Sequence, residues 1–225
     1  MASTSEVTRA EPPAATKGTS GPAWAGIAFG PLFVVGFIMA VNTPSNDASD
    51  ATWISFYSQK SNQVQTIIGA YLLIVSALLF LVFALGMQQR VKAGRGGAPV
   101  LYQLLAGTAV LVSGLIMVSA VQLAGIMGNI LFGSQPFPQN ADVLRANTGI
   151  AGIALAATLT AAVFIACGAF LARRVGLFGT GMFAFSIVAA VLLFFAVAFF
   201  PMVALPIWVL VAGIALLRSS TASSN

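Results

Sequence analysis

From Tyr102 to Asn129 the chain runs on without one charged side chain. About 20 apolar residues are enough to cross a bilayer, so this run has length to spare. It also carries more polar side chains than any other long apolar run in the chain. At about 100° per residue, Gln103, Gly107, Gly114, Gln122, Gly125 and Asn129 fall within roughly one 100° arc of a helix. Thr108, Ser113 and Ser119 lie off that arc. One face is amide and glycine, and the remainder is mostly Leu, Val, Ile and Met. Lipid offers an amide no hydrogen bond, so the arc is expected to look at protein or at an enclosed wet space. Gln103, Gln122 and Asn129 are therefore the candidate ligand-binding or helix-packing residues.

Composition extends the argument to the whole chain. Charged residues make up 7% and hydrophobic residues 59%, with a mean hydropathy of +0.97. A soluble globular surface draws on about 25% charged residues, so none can be assembled here. The 225 residues suffice for one bundle of spans and not for a bundle plus a folded soluble domain. Histidine is absent and Cys167 stands alone in an apolar run, which excludes an internal disulfide and any Cys/His metal site. The same absence removes the common haem ligands and the usual general base near neutral pH. Cys167 reads as a small packing residue.

In chain order, residues 1–22 read as a disordered tail rich in Ala, Ser, Thr and Pro. The first apolar run starts near Ala23, too late for a secretory signal, and is expected to stay uncleaved. Six spans follow: about 23–41, 66–87, 102–129, 147–171, 175–199 and a last one ending at Leu217. Span one holds Gly26 and Gly30 at GxxxG spacing and then Pro31, which predicts a close helix contact and a bend. Between spans one and two, Asp47, Ser49 or Asp50 can cap a short amphipathic helix from about Ala51. Its Trp53, Phe56 and Tyr57 share a face expected to lie at headgroup depth, the other reading being a lid over the helices. The loop Gln88–Pro99 holds Arg90, Lys92, Arg95 and a Gly-rich turn, without Walker spacing. The connection 133–146 is read as a loop. Gly152, Ala156 and Thr160 form a small-residue stripe on span four.

Charge then orients the map. Arg9, Lys17, Arg90, Lys92, Arg95, Arg173, Arg174 and Arg218 fall on one side, and Lys60 and Arg145 on the other. Eight against two places both termini in the cytoplasm of a plasma membrane protein, with residues 219–225 a short cytoplasmic tail. The +5 charge is explained by this topology, and no nucleic acid partner is expected. Trp24, Trp53 and Trp208 each fall near an expected boundary.

The five carboxylates and ten basic residues all lie outside the spans. No ionisable group is left at depth to couple ion movement, and no set of groups is left for intramembrane hydrolysis. The fold class is thus all-α, a six-span membrane bundle with a short interfacial helix after the first span. The expected function is non-enzymatic and without cofactors, as an accessory or interaction subunit binding the lipid bilayer and other membrane proteins or itself. The alternative is a binder or passive carrier of a neutral or lipid-like small molecule through the polar face of span three. An enzyme would need reactive groups from a partner chain.

Several local sequences carry a resemblance. Asp47-Ala48-Ser49 precedes an aromatic segment ending in Phe56-Tyr57, and Ala-Tyr-Leu-Leu occupies 70–73. Ala-Val-Phe-Ile-Ala-Cys occupies 162–167 and Leu-Pro-Ile-Trp-Val-Leu occupies 205–210, with a terminal arginine. On these features, residues 23–218 resemble an uncharacterised group of six-span membrane proteins of actinobacteria. The resemblance implies a compact helical membrane protein of a high-GC Gram-positive bacterium and hands no residue a role.

Overall fold

The computed structural model describes residues 20–94, 98–133, 136–195 and 200–222. These form α1 (Gly21–Val41), α2 (Asp50–Ser58), α3 (Lys60–Ala93), α4 (Pro99–Phe132), α5 (Ala141–Thr148), α6 (Ala151–Arg174), α7 (Thr180–Phe194), a 3₁₀ turn (Phe200–Val203) and α8 (Ala204–Ala222). No strand occurs among the described residues, so the protein is all-α. Four stretches are long and apolar enough to cross a membrane: Gly21–Val41, Lys60–Ala93, Pro99–Phe132 and Ala141–Arg174, the last holding α5 and α6. The other two apolar helices are shorter, and the 15 residues of α7 reach about 22 Å against a hydrocarbon core of about 30 Å. The expected tail 1–22 lies outside the described residues as far as residue 19, and α8 carries helix to Ala222, past the expected end at Leu217.

The six long elements stand as a ring. Going round it, α8 packs on α1, α1 on α3, α3 on α4, α4 on α6 and α6 on α7, while α7 meets α8 only loosely. Aromatic side chains fill the centre. Phe80 lies 5.4 Å from Phe29 and 5.1 Å from Phe164, ring centre to ring centre, and Trp208 lies 5.9 Å from Phe164 and 6.2 Å from Phe83. Trp208 is fully buried, and its indole N–H donates to the Ser186 hydroxyl at 2.8 Å. An indole buried with a partner for its N–H combines large apolar burial with no unpaired donor. Trp208, near the start of α8, thus turns inward as the hub of the core. Trp24, 56% exposed, does remain on the surface.

Beyond the ring, α3 and α4 carry a cap. Both helices have 34 residues, about 51 Å, so they overrun the apolar thickness. At that end α2 and α5 close over them around Trp53, Tyr57, Ile67, Met127, Ala141 and Leu144. The polar start of α3 stays helical because it completes the end of α2. Gln63 donates to the Tyr57 carbonyl at 2.6 Å and Asn62 to the Phe56 carbonyl at 2.8 Å. Of the three capping candidates for α2, Ser49 takes the role, accepting from the Thr52 N–H. The stretch read as a loop at 133–146 contains most of α5, capped by the Asn140 side chain on the Asp142 N–H at 2.8 Å.

Candidate functional site

The polar arc of α4 points away from its own bundle. Buried positions on α4 are Leu105, Thr108, Ala109, Val112, Ser113, Ile116, Ser119, Ala120, Leu123 and Met127. Their mean direction and that of the arc from Gln103 to Asn129 differ by about 160° around the helix. Gln103, Gly107, Gly125 and Asn129 are exposed, and Gly114 and Gln122 are half-buried. Leu104, Leu111, Val118 and Val121 stand among them, each at least 42% exposed. The structure thus keeps the three candidate amides on one face, and none of their side chains hydrogen-bonds a described residue. Among the described residues the arc lines no enclosed space, and at its far end Gly125 comes near the Asn147 side chain, 3.8 Å from its Cβ position.

Hydrogen-bond chemistry explains the inversion. Most hydroxyls that go inside serve a carbonyl of their own helix, Ser113 being buried without a partner among the described residues. Thr108 donates to Leu104 at 2.7 Å, Ser119 to Leu115 at 2.9 Å, Ser76 to Leu73 at 2.7 Å and Ser186 to Met182 at 2.7 Å. A hydroxyl has one proton to place, and the turn before it supplies an acceptor. A carboxamide has two N–H groups and a carbonyl, more than one turn of helix can satisfy. The amides of α4 instead bracket its apolar length: Gln103 and Gln122 are 19 residues apart, about 28 Å. That matches the thickness of a hydrocarbon core of about 30 Å. Asn129 lies further along, where α5 packs on α4.

Glycines separate the inner and outer surfaces more sharply. A Cβ on Gly69 would stand 2.5 Å from the Ala40 nitrogen and 2.8 Å from the Gly36 oxygen. One on Gly36 would stand 3.0 Å from the Gly69 oxygen, and one on Gly213 2.9 Å from the Ala23 oxygen. These glycines let backbones touch. Gly26 and Gly30 are also consumed internally, against the Phe83 ring at 2.5 Å and the Pro206 oxygen at 3.1 Å. By contrast a Cβ on Gly107, Gly114 or Gly128 of α4, or on Gly152 of α6, would meet nothing within 4 Å. Of the small-residue sets read from the sequence, the one on span one packs inside the bundle. Those on α4 and α6 are displayed outside it.

The cap is held by Arg145. Its guanidinium pairs with Asp50 at 2.8 Å and Asp142 at 3.2 Å, donates to the Ala48 carbonyl at 2.8 Å, and lies 5.7 Å from the centre of the Trp53 ring. Trp53 and Tyr57, expected at headgroup depth, are fully buried between α2, α5 and the ends of α3 and α4. The reason is that α5, within the expected 133–146 connection, gives them an apolar partner. Burial pushes the Tyr57 phenol up to about 12, the nearby Thr66 hydroxyl opposing the shift. Trp53, Tyr57 and Arg145 were readable only singly, because the clamp joins segments about 95 residues apart.

A cavity of about 40 Å³ lies among Phe33, Phe37, Leu73, Ser119, Thr158 and Leu205. An apolar cavity of about 150 Å³ takes a benzene ring, so this one is small for an organic ligand. Its two hydroxyls are already engaged with their own helices, and none of Gln103, Gln122 and Asn129 lines it. No protein family, curated protein or solved structure matches the chain.

Proposed function

We propose that the chain is a six-span protein of a bacterial cytoplasmic membrane, with both termini inside, that works by holding other membrane-embedded helices as a subunit of an assembly. In this reading α7 and α8, with the turn between them, complete the six spans, and the eight-to-two distribution of basic residues sets the orientation. The work is non-enzymatic.

The outward face of α4 carries the reading. Glycine in a helix costs up to about 1 kcal/mol relative to alanine. The inner glycines repay that by letting backbones approach, whereas Gly107, Gly114 and Gly128 have no neighbour to approach among the described residues. In lipid, small residues are what permit a second helix to come close. Passive carriage of a neutral molecule has less support, since the amide face lines no described cavity.

The test is extraction into native lipid discs followed by intact mass measurement. A stable mass above that of one chain is expected. A bare single chain across the whole range of extraction conditions would overturn the proposal.

A further inference from the structure

We infer that an anionic phospholipid of the cytoplasmic leaflet binds along α7, with one acyl chain in the crevice between α7 and α8 and its phosphate among the arginines that end α6. This rests on the membrane topology proposed above and not on the assembly.

The crevice comes from the loose join in the ring. Phe185, Val188 and Leu192 of α7 face Val203 and Ile207 of α8 across a slot of about 330 Å³, and no polar side chain among the described residues lines it. Val188, Leu192, Val203 and Ile207 are each at least 47% exposed. An apolar cavity of about 150 Å³ takes a benzene ring, so this slot has room for a longer hydrocarbon. A helix is about 10 Å across and does not fit inside it, whereas a single acyl chain does. Size selects a lipid tail over a partner helix.

Depth selects the leaflet. Gly181, Phe185, Val188 and Leu192 recur at i, i+4, i+7 and i+11, along one face of α7. Gly181, with nothing within 4 Å of its Cβ position, leaves the head of that face open. Thr180 and Leu192 are 12 residues apart, about 18 Å, near half of a hydrocarbon core of about 30 Å. A tail entering beside Gly181 therefore ends close to mid-membrane.

Charge selects the headgroup. A Cβ on Gly94 of α3 would stand 2.6 Å from the Val175 side chain, and Arg90 donates to the Leu216 carbonyl at 2.6 Å, so α3, α6 and α8 finish together. They bring Arg90, Lys92, Arg173, Arg174 and Arg218 to one end, while the described carboxylates, Asp47, Asp50 and Asp142, all lie at the cap. Arg173 reaches the first residue of α7, donating to the Thr180 hydroxyl at 2.9 Å, and lies 5.7 Å from the centre of the Phe183 ring. Arg174 beside it is exposed. A guanidinium pairs strongly with phosphate, and five cations without a carboxylate favour a headgroup of net negative charge over a zwitterionic one.

The experiment titrates the full chain in mild detergent with phosphatidylglycerol or phosphatidylcholine of the same acyl chains and reads bound lipid by intact mass. One phosphatidylglycerol per chain is expected, held about tenfold more tightly than phosphatidylcholine. Val188→Trp or Ile207→Trp, filling the slot from either wall, is expected to weaken binding about tenfold with helix content unchanged. Val121→Trp, on the exposed face of α4, is expected to leave it as it was. Arg173→Gln together with Arg174→Gln is expected to remove the preference for phosphatidylglycerol. Equal binding of the two lipids by the unaltered chain, or binding indifferent to both slot-filling variants, would overturn the proposal. A bare single chain that keeps its lipid would overturn the assembly and leave this site standing, whereas an assembly whose chains keep none would do the reverse.

Discussion

The seam between α1 and α3 and the outer face of α4 are built from the same residue, glycine, in opposite surroundings. At the seam, Gly36 and Gly69 are reciprocal: each would drive an added methyl into the other helix's backbone. On α4, Gly107, Gly114 and Gly128 face open space. Glycine content alone therefore says nothing about where a membrane helix packs. What distinguishes the two surfaces is whether the missing Cβ is missed by a neighbour.

Substitutions can pull this contrast apart. The largest effect is expected at the seam. Gly69→Val places a branched side chain 2.5 Å from the Ala40 nitrogen, where only backbone can yield. A loss of about 3 kcal/mol or outright misfolding should follow, read as thermal unfolding in mild detergent. Gly168→Ala is a milder inward case. Its new methyl would sit 2.5 Å from the Met87 Cε, the free end of a flexible chain, so a cost under about 1 kcal/mol is expected in the same assay. Should Gly168 prove as costly as Gly69, the distinction between backbone and side-chain neighbours fails. Gly114→Ala reverses the sign, gaining up to about 1 kcal/mol through helix propensity. The smallest change is expected from Gln122→Leu, within about 0.5 kcal/mol of unaltered fold stability. A large loss there would mean that the amide has a partner inside the bundle.

Much of the helical layout was legible because long apolar runs have few other ways to satisfy their backbone. Ala23–Val41 anticipates α1 almost to the residue, and the Tyr102–Asn129 run lies within α4. Facing was not legible. In water, apolar residues mark the inside of a helix, but lipid is as apolar as a core, so Leu111 outside and Leu105 inside look alike in sequence. The polar residues misled for a related reason. The amide arc is expected to face protein or an enclosed wet space, whereas Gln103 and Asn129 stay exposed and the off-arc hydroxyls of Thr108 and Ser119 go in. Helix α5 was missed because Leu144 is its one large buried side chain. The Arg145 clamp needed the fold before its partners, Asp50 and the Ala48 carbonyl, stood beside it.

The packing of α8 against α1 bears on how the chain is made. Helix α1 rests its Ala23 and Gly30 backbone against Gly213 and Pro206 of α8, which is made about 180 residues later. Trp208, on that same last helix, supplies the ring between Phe83 and Phe164. Until α8 is made, α1 lacks one of its two flanking neighbours and the aromatic cluster lacks its hub. A nascent chain halted before Ala204 would hold its earlier helices around a space that only the final helix fills. Assembly of this bundle therefore waits for α8, and losing α8 acts directly on α1, made far earlier.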